Sequence, residues 1–316
     1  MTSVPSSLHD GYGSVGRSAW MDIDWSAHRR FVEIDGKRAN VVELGSGPPL
    51  LFVHGLSGCW QNWLENVPRF ARTHRVIAMD LPGFGASEMP REPISIPGYG
   101  RFLEALCDEL AIDAAAVVGN SMGGHIATEL AIASPQRVER LVLVSAAGIT
   151  TEHVHRNGVM AGGRIIAALA TRAAARHEAL ARRPGLRRLA LSYVTRHPDR
   201  LSADLAREMM RGAGKPGFLP ALEAVISYRL SERLPQIACP TAIVWGEDDR
   251  VIPVGDAARF EQLIPDARAV VLPDTGHMAM LERPERFNAL LDEFLASLPG
   301  DERAPEPEPE ADALSA

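Results

Sequence analysis

Cysteine is scarce in this chain: Cys59, Cys107 and Cys239 are the only three among 316 residues. Their odd number and wide spacing make no disulfide framework and a reducing compartment the simplest reading. The sequence also lacks any apolar run of about 18 residues, so no membrane span is expected. No charged-then-apolar leader opens it, so no signal peptide is expected, and the expected location is cytoplasmic. There is no internal repeat. Aromatic residues are not interleaved with the arginines as a stacking platform, which argues against nucleic acid as a partner.

What is present is a globular composition, with 46% hydrophobic residues. A chain of this length can bury a substantial core, as one large α/β domain with an insertion or as two domains. The formal net charge of −7 is unevenly spread. From Asp301 onward, six acidic residues (Asp301, Glu302, Glu306, Glu308, Glu310 and Asp312) face only Arg303. The Pro-Glu alternation there cannot build a core, so residues 300–316 are expected to form a disordered acidic tail. Between Arg156 and Lys215 the bias reverses, with thirteen basic residues against Glu178, Asp199, Asp204 and Glu208. The plain reading is a solvated arginine face on helices. The sharper one is a surface for anionic lipid or for a carboxylate-bearing substrate.

The most informative segment is Gly119-Asn120-Ser121-Met122-Gly123, a G-x-S-x-G sequence. The apolar run Ala114 to Val118 before it reads as a strand buried on both faces. After it, Ile126, Leu130 and Ile132 recur at helical spacing until Pro135 ends the pattern. A serine at such a junction must turn sharply, with its Oγ projecting from the C-terminal edge of the sheet. Gly119 and Gly123 leave room for strand and helix to cross closely. The helix N-terminus also aims free N–H groups at the serine.

A serine hydroxyl needs a base, and the base needs an orienting acid. Downstream, the strand pattern Thr241 to Trp245 leads into Gly246-Glu247-Asp248-Asp249. The strand pattern Ala269 to Leu272 leads into Pro273-Asp274-Thr275-Gly276-His277. Acid and histidine therefore both follow strand ends, where open α/β sheets gather catalytic groups. The chain order is serine, acid, histidine.

These features resemble the α/β-hydrolase family over roughly residues 30–297. The pieces that carry the resemblance are Val53-His54-Gly55-Leu56, Asp80-Leu81-Pro82-Gly83-Phe84-Gly85-Ala86-Ser87, the elbow, Trp245-Gly246 to Pro253, and Gly276-His277. The resemblance implies a mostly parallel central sheet flanked by helices, with a helical cap inserted after the sixth strand. The implied organisation is an N-terminal extension (1–29), a core (30–148 and 236–299), a cap (149–235) and the tail (300–316). It implies Ser121 as nucleophile, His277 as base and Asp249 as acid, four residues after Trp245, with Asp248 as the alternative. The backbone N–H groups of Leu56 and Met122 are implied as the oxyanion hole. No cofactor and no metal are expected.

Other residues have plainer roles. His54 is expected to hold the oxyanion loop, and His125 to be a packed or hydrogen-bonded helix residue. His153 and His155 form an H-x-H pair without a third ligand at suitable spacing. Gly11-Tyr12-Gly13-Ser14-Val15-Gly16 matches G-x-G-x-x-G, but it follows no strand and opens no helix. A flexible N-terminal segment is the expectation there.

A serine at the elbow argues against the aspartate-dependent epoxide-hydrolase and haloalkane-dehalogenase branches. The string Gly119 to Gly124 is similar to the elbow of C–C hydrolases acting on aromatic ring-fission products. Those relatives usually carry tryptophan after the histidine and a glycine-rich oxyanion loop. Here Met278 follows His277, and the loop reads His54-Gly55-Leu56-Ser57-Gly58. The expected activity is therefore hydrolysis of carboxylic esters with small or medium apolar acyl groups, extending to monoacylglycerol-like lipids. The apolar residues Met278, Met280 and Leu281 near the histidine support that expectation. C–C hydrolysis is the alternative, and a ligand-binding receptor on the same fold is an alternative of another class. The expected partner is a small-molecule ester, with a weak membrane-surface or anionic-substrate contact through the cap as a further option. Oligomeric state is not readable.

Overall fold

The computed structural model describes residues 11–14, 16–174 and 177–297. The acidic tail 300–316 and the first ten residues of the N-terminal extension lie outside the described residues. Eight strands build one sheet: β1 (Arg29–Ile34), β2 (Lys37–Leu44), β3 (Pro49–Val53), β4 (Arg75–Met79), β5 (Ala115–Asn120), β6 (Val138–Val144), β7 (Thr241–Gly246) and β8 (Ala267–Leu272). Their order is β1-β2-β4-β3-β5-β6-β7-β8, with β1–β2 and β2–β4 antiparallel and every other pairing parallel.

The central strands are largely apolar because both faces of the sheet are covered. Along β3, Leu51 and Val53 enter one core cluster while Leu50 and Phe52 enter the other. β5 does the same, with Val117 on one side and Val118 on the other. The first cluster is closed by the helices Ile96–Glu109, Met122–Ala133 and Gly255–Leu263, and the second by Pro284–Ala296.

After β3 the chain runs outward to β4, then returns past β3 to lay down β5 on its other side. The direction of strand addition reverses there, so the loops leaving β3 and β5 diverge around a crevice at the C-terminal edge. That reversal brings the His54–Gly58 loop against the elbow: a Cβ on Gly55 would stand 2.9 Å from Ser121 Cβ.

Between β6 and β7 the chain forms the helices Arg156–Ala174, His177–Arg182, Pro184–Leu191, Ala203–Met209 and Phe218–Ser227. This insertion lies across the C-terminal edge. A Cβ on its Gly212 would be 2.3 Å from the Ser57 carbonyl oxygen, and one on Gly217 would be 2.7 Å from the Gly83 carbonyl oxygen.

The N-terminal segment departs from expectation. Tyr12 is only 3% exposed and sits in the second core cluster, so the chain around it is docked rather than flexible. Glycine is required there for a physical reason other than phosphate binding: Gly11 and Gly13 both have φ near +70° (71° and 72°), which lets the chain fold Tyr12 inward.

Candidate active site

Ser121 has φ 55° and ψ −120°, a backbone conformation that costs a non-glycine residue about 1–3 kcal/mol. The strain is held by main-chain bonds on both sides. Ser121 N–H donates to Val144 O at 2.9 Å, and Ser121 O accepts from the amides of Gly124, His125 and Ala147 at 3.0, 3.2 and 3.1 Å. Gly119 and Gly123 cannot be replaced cheaply, because a Cβ would stand 2.3 Å from Gly123 O and 2.2 Å from Val53 O respectively. Backbone, not a movable side chain, fills both spaces.

His277 Nδ1 meets Asp249 Oδ2 at 2.7 Å, with side-chain exposures of only 5% and 0%. The other oxygen of Asp249 accepts from the amides of Val251 and Ile252 at 2.8 and 3.0 Å. One carboxylate oxygen is thus anchored to the backbone and the other is left for the imidazole. Asp248, the alternative acid, faces away: its Oδ2 lies 3.3 Å from Arg196 Nε.

The amides of Leu56 and Met122 have no hydrogen-bond acceptor among the described residues. Met122 is the first residue of its helix, so its N–H has no partner within that helix. His54 holds the neighbouring loop. Its Nε2 accepts from Leu81 N–H at 3.0 Å, so Nδ1 carries the proton and donates to Gly55 O at 2.8 Å. Burial lowers the His54 pKa, which keeps the ring in that neutral form. Both nitrogens are spent, so His54 has no lone pair left to act as a base.

The remaining candidates also find places. His125 is fully buried beside the Tyr228 ring at 5.6 Å, and its ring nitrogens have no partner. Burial pushes its pKa down to about 3, so it is a neutral packing residue. Met280 and Leu281 are fully buried in the second core cluster with Trp63 and Phe287. Sequence reasoning missed Asn120 as a brace. Its Nδ2 donates to Val144 O at 3.1 Å and to His277 O at 3.3 Å, tying the elbow strand to the histidine loop. It also missed Asp80, whose buried carboxylate accepts from Trp60 N–H at 2.9 Å and from Ala86 N–H and Asn40 Nδ2 at 2.8 Å each. Neither role has a local pattern, because each joins segments far apart in the chain.

In the arginine-rich insertion Arg156, Arg164, Arg182, Arg183, Arg188, Arg200 and Arg211 are exposed, as the plain reading expects, while three others are held within the fold. Arg187 is buried and donates to the carbonyls of Pro198, Ala181 and Asp199. Arg196 pairs with Asp248 and Asp274, and Arg207 with Glu178, Asp204 and Glu208. Among the described residues no group of three His, Cys, Asp or Glu side chains could hold a metal ion.

Residues 48–284 match the family model described as the alpha/beta hydrolase fold. The chain belongs to the α/β-hydrolase fold family. This α/β hydrolase is 34% identical over 284 residues to the dihydrolipoyllysine-residue acetyltransferase component of an acetoin cleaving system from Cupriavidus necator, covering 86% of the chain and 70% of that protein. It is 32% identical over 279 residues to a 2-hydroxy-6-oxononadienedioate/2-hydroxy-6-oxononatrienedioate hydrolase from Cupriavidus pinatubonensis, covering 83% and 88%. Among solved structures it resembles Est816, an N-acyl homoserine lactone degrading enzyme. That match has a TM-score of 0.67 and 29% identity, covering 84% of this chain and 100% of the other.

Proposed function

We propose that this α/β hydrolase is a serine hydrolase that cleaves carboxylic esters of small to medium apolar acyl groups through an acyl-enzyme. The observation that carries the reading is the buried 2.7 Å Asp249–His277 pair at the same sheet edge as the strained Ser121. Ser121 Oγ attacks the ester carbonyl while His277 Nε2 takes its proton, and Asp249 stabilises the resulting imidazolium. The Leu56 and Met122 amides receive the oxyanion; one such donor is worth about 3 kcal/mol of barrier. His277 then protonates the departing alkoxide. Water, deprotonated by the same imidazole, releases the acid and restores the serine.

Esters are favoured over the C–C substrates because of the state of the cap arginines. A ring-fission product carries a carboxylate, whose burial calls for an unspent cation. Every buried or half-buried arginine of the insertion among the described residues is already paired. The likeness to a lactone-degrading enzyme also supports the reading, since a lactone is a cyclic carboxylic ester.

C–C hydrolysis stays as the second reading, because a relative named for it matches 83% of the chain. In that case Lys215, half-buried in the insertion, is a cation that these arginine pairings leave available. The deciding experiment assays p-nitrophenyl esters of graded chain length beside a vinylogous ring-fission diketone. Turnover of the diketone alone would sink the ester reading. Failure of a fluorophosphonate to label Ser121 in folded protein would favour the receptor class instead.

A further inference from the structure

Three consecutive amides of the loop that carries His277 are all taken. The N–H of Gly276 donates to Glu282 Oε2 at 3.0 Å, and that of Met278 to Glu282 Oε1 at 3.0 Å. Between them, the N–H of His277 donates to Val194 O of the insertion at 3.1 Å. These amides precede the short helix Ala279–Glu282, so a regular backbone acceptor is not available to them.

Glu282 is itself fully buried, and a buried carboxylate needs donors all around it. It receives two more. Arg196 N–H reaches Oε2 at 2.7 Å from the insertion, and the Tyr12 phenol reaches the same oxygen at 2.7 Å from the N-terminal segment. The Tyr12 oxygen in turn accepts from His197 N–H at 2.8 Å, and Gly13 N–H bonds the Glu282 carbonyl at 2.7 Å. The Tyr12 ring is fixed by the guanidinium groups of Arg200 and Arg283, 4.8 and 4.9 Å from its centroid, and by the edge of His197 at 5.1 Å.

We propose that Tyr12 and Glu282 are positioning residues for His277, so that the N-terminal segment is a working part of the active site. The proposal rests on the reading of His277 as the base. The bond to Asp249 sets how the imidazole is rotated, but it does not set where the His277 backbone stands. Glu282 does that by clamping the amides on either side of it, and Tyr12 keeps the carboxylate pointed at them. A displacement of about 1 Å in a base can cost on the order of a hundredfold in rate. The second carboxylate of the site therefore acts on geometry and exchanges no proton with substrate.

The test is covalent inactivation by a fluorophosphonate, which reports serine activation without knowledge of the natural substrate. Tyr12→Phe keeps the ring between Arg200 and Arg283 and removes only the oxygen. It is expected to lower kinact about tenfold while KI stays within about twofold, with a thermal midpoint close to the parent. Glu282→Gln sets an amide group against backbone donors and is expected to lower kinact further; should it not fold, Tyr12→Phe decides alone. Tyr12→Phe inactivated at the parent kinact, with His277→Ala unreactive, overturns the proposal and leaves the base intact. His277→Ala inactivated at the parent rate overturns the base reading instead.

Discussion

The side-chain amide of Asn120 donates to the carbonyl of His277 at 3.3 Å, joining residues 157 positions apart. The strand that ends at Ser121 and the loop that carries His277 are thereby tied together. The same nitrogen also bonds Val144 O at 3.1 Å, so the brace spans two strands and a loop.

Asn120→Ala removes both bonds; Val144 O keeps its bond from Ser121 N–H, and the buried His277 carbonyl is left without its donor. The expected result is a stability loss of about 1–3 kcal/mol in denaturant unfolding. A fall in kcat of about tenfold, with KM little changed, is expected from the loosened histidine loop. Steady-state kinetics on an active p-nitrophenyl ester measures the second effect.

The strain at Ser121 predicts an unusual pair of variants. Ser121→Ala and Ser121→Gly should both lose fluorophosphonate labelling. Glycine, which accepts φ 55° without penalty, should nonetheless be the more stable of the two by about 1 kcal/mol. Equal unfolding midpoints would mean the elbow is relaxed.

The two adjacent acids should separate sharply. Asp249→Asn is expected to lower kcat about ten-thousand-fold, because the imidazole loses the partner that fixes its tautomer and steadies its charge. Asp248→Asn should stay within about threefold of the parent, since that carboxylate faces Arg196 at 3.3 Å. Comparable losses in both would remove Asp249 from its assigned role.

His125 predicts a pH-dependent stability. Its folded pKa, pushed down to about 3 from 6.5 by burial, means the unfolded chain binds a proton first as pH falls. Stability attributable to this residue is therefore full above pH 6.5 and declines steadily toward pH 3. Between pH 6.5 and 5 the loss is about 2 kcal/mol. Urea unfolding of the parent and of His125→Leu across that range measures it: the parent should lose more, and parallel curves would rule the effect out.

Much of this protein was legible from local pattern. Apolar runs such as Leu50 to Val53 are continuous because both faces of a parallel sheet are buried, and continuity survives in sequence. The elbow is legible because its glycines answer a local crossing of strand and helix. The burial of Met280 and Leu281 was not legible, because closeness to His277 in sequence says nothing about which face of the chain meets the core.

The strand-rich α/β class, the family and the order of serine, acid and histidine are all carried by spacing within short segments, and so can be read without a structure. The tertiary structure decided which of two neighbouring carboxylates meets the imidazole, because adjacent side chains on a loop leave it in different directions. It also decided that Tyr12 belongs to the histidine loop. That contact joins residues 270 positions apart, and it exists because a fully buried carboxylate must be given donors from wherever the fold can bring them.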